Sequence, residues 1–180
     1  SFTAGDMTRF KVKMVDAEVK EPSALTTYNL LTDIGELTAG DKIIIAAANS
    51  DVALSTTQND NNRGQASITK NLVDGTGTAT FGEDVEVLTV EFGNVDDTFA
   101  LNTGSGYLYA ASSSKNYLRT ETALSANSSW TITVDSSGLA TIKAQGDNTR
   151  NELRYNSTSS IFSCYASGQD DVAIYYLDGK

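Results

Sequence analysis

The sequence predicts an all-β chain built from three copies of a four-stranded unit, the plan of a β-trefoil. Three observations carry that expectation. No apolar pattern of helical period runs for three turns or more in the 180 residues. Twelve short apolar or alternating runs follow one another, separated by Gly, Asn and Ser turns: 42–47, 51–56, 65–69, 85–92, 97–102, 106–111, 116–120, 129–134, 139–144, 152–156, 161–165 and 171–177. Three stretches can also be laid over each other strand for strand. Another closed β-barrel, or a sandwich, is the alternative reading of the same strands.

The chain opens with "RFKVKMVDAEV", where Phe10, Val12 and Met14 alternate with Lys11 and Lys13, the period of a half-buried strand. Glu21, Pro22 and Ser23 break it. Residues 1–24 therefore read as a leading strand or as the tail of a preceding domain, and "EPSALTT" reads as a linker into a domain over 28–177. In "TDIGELTAGD", Asp33 and Glu36 have capping-box spacing and Gly40-Asp41 makes a turn, which predicts one short helical turn.

The first repeat begins at "KIIIAAA", whose unbroken run Ile43, Ile44 and Ile45 marks a fully buried strand. Each repeat opens with an apolar strand: Ile43 to Ala47, Phe99 to Leu101 and Ala140 to Ala144. A polar turn and a second strand carrying a leucine follow: Leu54, Leu108 and Leu153. The third strands hold Ala66 to Ile68, Tyr117 to Leu118 and Ile161 to Cys164. Alternating strands close the units at Val87 to Phe92, Trp130 to Val134 and Val172 to Leu177, so that Trp130 matches Val172. One such unit cannot cover its own apolar face, whereas three around an axis can. Leu108, Leu118, Trp130 and Ile132 are accordingly core anchors.

Composition narrows the function. The chain has 23 acidic and 13 basic side chains, a net charge of −10. That balance disfavours nucleic acid or an anionic membrane surface as the main partner, since both attract positive patches. There is no histidine, which removes Ser-His-Asp and Cys-His machinery and the commonest zinc ligand. Cys164 is the only cysteine and sits in the apolar run "IFSCY", so it reads as buried and inert. The pairs Asp96-Asp97 and Asp170-Asp171 match no calcium loop. No apolar run is long enough to span a bilayer as a helix. No cofactor, metal or catalytic role is expected. The start at Ser1 reads as a mature or excised fragment.

Two groups of residues can bind a ligand. The turns "NDNNRG", "NYLR" and "NTRNELR" place Asn62 and Arg63, Asn116 and Arg119, and Asn148 and Arg150 at similar points of the three repeats. Asn and Arg in such a rim can hydrogen-bond sugar hydroxyls or a carboxylate. The competing reading is structural: Asn caps tight turns, and a recurrent Arg ties a loop to carbonyls. The second group is Tyr107 and Tyr109. With Leu108 in the core, period two sends both rings outward together, as a stacking platform for a sugar would require. The plainer account is that Tyr suits strands.

The motifs "ELTAGDKIIIAA", "NNR", "FALNTGSGYLYAASSSKNYLRT", "SSWTITV", "GDNTRNELRYN" and "FSCYASGQDDVAIYYL" resemble a domain recurrent in secreted proteins of gut Bacteroidetes. The resemblance covers residues 28–177. It implies a C-terminal or accessory module beside a nuclease, phosphatase or other hydrolase domain, on the bacterial surface or outside the cell. The repeats are also similar, more loosely, to ricin-type lectins, which carry Gln-x-Trp in the last strand of each unit. Here Trp130 alone supplies the Trp, and Ser128 stands where Gln would be. The expected function is a monomeric, non-catalytic accessory module that binds carbohydrate weakly through Tyr107, Tyr109 and the Asn/Arg turns. The alternative is an interaction or spacer module that packs against a neighbouring domain.

Overall fold

A computed structural model of the chain describes residues 26–73 and 76–177. The expected strand at Phe10 to Met14 lies outside the described residues. Six strands pair edge to edge in a closed antiparallel ring: β2 (Lys42–Ala47), β6 (Leu88–Phe92), β7 (Phe99–Asn102), β10 (Trp130–Val134), β11 (Leu139–Ala144) and β14 (Val172–Tyr176), which pairs back onto β2. Three hairpins extend from the ring. They are β3 (Val52–Gln58) with β4 (Arg63–Val73), β8 (Tyr107–Ala110) with β9 (Leu118–Glu121), and β12 (Glu152–Asn156) with β13 (Ile161–Tyr165).

The register repeats three times. Within the ring Ile43 faces Leu88, Phe99 faces Trp130, and Ala140 faces Val172. Three residues further along the first strand of each set, Ala46, Asn102 and Lys143 face Ala53, Tyr107 and Glu152. The next residue is Leu54, Leu108 or Leu153, and all three are buried in one core. Trp130 is also fully buried, and its indole N–H donates to the Leu108 carbonyl at 3.1 Å. Alternation explains the choice of side chains: Leu88 and Val90, Ile132, Ile142, Val172 and Ile174 all point into the ring. Each fully buried aliphatic chain contributes about 1.5–3 kcal/mol.

Two strands depart from the sequence expectation. β1 (Thr26–Leu30) begins inside "EPSALTT", so the last two residues of the expected linker are strand. β5 (Thr76–Phe81) was no strand in the sequence reading. β1 pairs with β5 and β14, and β5 pairs with β4, which adds a second layer outside the ring. A second core lies between the layers: Tyr28, Ala66, Ile68, Ala79 and Phe81 against Ile44, Ala46, Ala173 and Tyr175. Tyr28 and Phe81 meet edge to face at 4.8 Å between ring centres. This layer is why "KIIIAA" is apolar without alternation, since β2 has a core on each face.

The helical turn expected near Asp33 is a 3-10 turn at Ile34–Glu36. The Asp33 carboxylate caps it by accepting from the Gly35 N–H at 2.9 Å. Glu36 reaches elsewhere and accepts from the Tyr176 hydroxyl at 2.7 Å.

Candidate functional site

The three Asn/Arg turns meet at the hairpin end of the molecule. Arg119, on β9, donates from Nε to the Asp60 carbonyl and to Asn61 Oδ1, both at 3.0 Å, and its Nη2 also reaches Asn61 Oδ1. Its guanidinium lies 4.7 Å from the centre of the Tyr117 ring, a cation–π distance. Arg150 donates to Asn116 Oδ1 at 3.1 Å. Asn148 donates from Nδ2 to the Ala110 carbonyl at 2.8 Å and accepts from the Ser113 hydroxyl. Asn62 accepts from Asn59 Nδ2 at 2.7 Å within its own turn. Ser163, buried on β13, donates to the Asn116 carbonyl at 2.6 Å. These bonds stitch the loop of the first hairpin to the second, and the second to the third.

The arginines are not in matching places. Arg63 opens β4 and Arg119 is the second residue of β9, while Arg150 precedes β12. Arg63 is 3% exposed, and no rim can use it. Its Nη1 makes an ion pair with Glu86 at 2.7 Å and donates to the Ser55 carbonyl, and its Nε donates to Gln58. Its neighbours in the turn are polar, which suggests an exposed side chain; in the structure Arg63 pairs across to Gln58 and is buried among its own bonding partners.

Tyr107 and Tyr109 are half-buried and lie on the opposite face of β8 from the fully buried Leu108. The Tyr107 hydroxyl donates to Glu91 Oε1 at 2.8 Å, and Asn102 Nδ2 donates to Glu91 Oε2 at 2.7 Å. The Asn102 bond, with the Tyr107 bond second, holds the Glu91 carboxyl below its ordinary range, and Glu91 in turn raises the Tyr107 phenol. At neutral pH Glu91 is thus an anion with acceptor capacity to spare beside a fixed aromatic ring. Tyr109 stands across from Arg119 in the β8–β9 register, and Tyr107 across from Glu121. Close approach of the strands depends on Gly106, where a Cβ would lie 2.8 Å from the Glu121 carbonyl oxygen. The face therefore carries tyrosine rings, two carboxylates and an arginine.

No protein-family model matches the chain, and no curated protein matches it. Solved structures do resemble it. A GH43 β-1,3-galactosidase superposes with a TM-score of 0.56 at 14% identity, over 86% of this chain and 30% of its own. A GlcNAcα1-4Gal-releasing endo-β-galactosidase from Clostridium perfringens gives 0.56 at 12% identity, over 77% of this chain and 33% of its own. A Polyporus squamosus lectin, bound to Neu5Acα2-6Galβ1-4GlcNAc, gives 0.53 at 12% identity, over 77% of this chain and 50% of its own. At such identities the likeness is one of fold. The chain spans 30% to 50% of the length of these proteins.

Glu91 and Asn102 escaped the sequence reading because they join Tyr107 only through pairing across β6, β7 and β8. Alternation along "LTVEF" does place Glu91 on the face opposite the buried Leu88 and Val90. Cys164 is buried as expected, and burial pushes its thiol far up, out of the reactive range.

Proposed function

We propose that this chain is a non-catalytic, β-trefoil accessory module of a secreted or cell-surface protein, and that it binds glycan through the outward face of β8 and β9. The thrice-repeated register of Leu54, Leu108 and Leu153 supports the trefoil plan. The fold-level likeness to two galactosidases and a lectin supports glycan as the partner class. The observation that carries the site is the Tyr107–Glu91–Asn102 chain, which fixes a partly exposed ring next to an ionised acceptor. Tyr109 and Arg119 face each other next along β8 and β9, and Asn116, Asn148 and Arg150 belong to the loops beyond the hairpin end of those strands. The carboxylates whose proton affinity is displaced, Glu91 and Asp135, are displaced downward, away from the range of a general acid.

The test is a glycan array probed with the protein and with Tyr107→Ala/Tyr109→Ala. Binding lost in the double variant, with its circular dichroism unchanged, supports the site. A blank array with folded protein removes the reading. One observation favours the alternative, an interaction or spacer module: Leu72, 64% exposed, stands with Leu139 on an apolar groove of about 570 Å³ that Leu30, Ala173 and Tyr175 also line. That reading predicts a blank array together with capture of a neighbouring domain.

A further inference from the structure

We propose a second glycan subsite at the mouth of the ring beside Phe92, shaped for the apolar face of a neutral pyranose. This inference rests on the glycan-binding reading above but uses none of the same residues. Leu88, Val90 and Phe92 alternate onto the inward face of β6. The first two are fully buried in the main core, whereas Phe92 is 71% exposed. This position at the end of the strand leaves a large aromatic ring at the opening, uncovered among the described residues. The ring borders a cleft of about 510 Å³, within the size range of small-ligand sites. Ile34, Phe99 and Ile132 form its apolar floor, and these side chains are the outer layer of the main core.

The wall of the cleft is a pinned loop. The Gly93 N–H donates to the Thr98 carbonyl at 3.0 Å, and the Asn94 N–H donates to the Ser129 hydroxyl at 2.9 Å. Ser129 returns a bond to Asn94 Oδ1 at 2.9 Å, and the Thr98 hydroxyl donates to the Val95 carbonyl. Gly93 is required there, because a Cβ would fall 2.1 Å from the Thr98 hydroxyl and 2.8 Å from Ser129 Cβ. The loop presents Asp96 and Asp97 at the cleft, and among the described residues neither carboxylate has a hydrogen-bond or ion-pair partner.

An aromatic ring, an aliphatic floor and two free acceptors on a fixed loop select the ligand by class. A pyranose presents a C–H face to such a floor and hydroxyl donors to such a rim. Two aspartates in a chain of net charge −10 repel a sialylated or otherwise acidic sugar. A cationic guest would also meet the two carboxylates at the rim, and the titration below separates it from a sugar.

The experiment is an amide NMR titration of the protein with galactose, N-acetylglucosamine, lactose and sialyllactose. It is repeated on Phe92→Ala, on Asp96→Asn/Asp97→Asn and on Tyr107→Ala/Tyr109→Ala. Phe92 is exposed, and Asn tolerates the left-handed backbone of Asp97 (φ 60°), so the first two variants keep the fold. The expected result is that at least one neutral sugar shifts residues 92–99. Phe92→Ala then weakens that binding about tenfold or more, the tyrosine variant leaves it unchanged, and sialyllactose binds this loop more weakly than lactose. Shifts confined to β8 and β9 overturn the subsite and leave the glycan reading standing. Shifts nowhere, with a blank array, overturn both. Movement of residues 92–99 by an arginine-rich peptide and by no sugar also overturns the subsite, in favour of a protein partner.

Discussion

Arg63 stands where its two counterparts are apolar. Leu54 faces Gln65, Leu108 faces Thr120 and Leu153 faces Cys164; two residues earlier on those third strands are Arg63, Leu118 and Phe162. All three are buried. A guanidinium in that place must be fully partnered, and Glu86, the Ser55 carbonyl and Gln58 supply the partners. Arg63→Ala would leave the Glu86 carboxylate, itself largely buried, without its cation. The expected cost is about 3 kcal/mol of stability, read as a lower urea midpoint with unchanged slope. Glycan binding by the protein that remains folded should not change, because Arg63 is no part of a rim. Asn/Arg composition pointed equally to a ligand and to loop ties, and only pairing across strands decides between them. For Arg63 the ties engage Nε and Nη1 and hold the side chain buried, away from any rim. For Arg119 they leave its guanidinium stacked on Tyr117, at the edge of the tyrosine face.

At the scale of elements, legibility followed the strength of alternation. Strands with large apolar residues at every second position, such as "LTVEF", "WTITV" and "LATIKA", were readable within a few residues. β5 reads "TGTATF", and its inward positions are Gly77, Ala79 and Phe81, so two of three carry almost no apolar signal. A Cβ at Gly77 would lie 2.5 Å from Leu72 Cδ2 and 3.3 Å from Leu30 Cβ, so any side chain there would have to push the exposed Leu72 aside. The clue that was present is Asp74-Gly75, a favoured hairpin dipeptide, between the paired residues Val73 and Thr76. The same layer makes a demand on the connection from β10 to β11. Gly138 has φ +93°, and a Cβ on it would lie 2.8 Å from both Cδ atoms of Leu30 on β1. Gly138→Ala therefore meets backbone strain and a steric clash together. A loss of about 1–3 kcal/mol is expected, measured by thermal or urea unfolding. A loss near zero would mean that β1 does not rest on this turn.

The whole molecule is a ring with one wall doubled, and that wall makes the two cores a single cooperative system. β2 and β14 place Ile43, Ile45, Val172 and Ile174 in the main core, and Ile44, Ala46, Ala173 and Tyr175 in the second. Nothing in the repeat arithmetic foretold this, because threefold matching sees only what the three units share. Among the described residues the doubling lies on the β2–β14 side of the ring, and it makes strand of the last two residues of the expected linker. Compare a chain that starts at residue 24 with one that starts at residue 32. The shorter chain loses all of β1, with Tyr28 and the fully buried Leu31. It also leaves the β1-facing edges of β5 and β14 unpaired and uncovers Phe81 and Tyr175. Two large buried side chains at about 1.5–3 kcal/mol each give a loss near 4 kcal/mol, before the unpaired edges are counted. For a domain of this size that corresponds to a fall in Tm of about 10 °C or more. The shorter chain should also bind a hydrophobic dye such as ANS and unfold in one transition, since the shared strands carry the damage from the outer core to the inner. If β1 were only a linker, the two chains would melt together and neither would bind the dye.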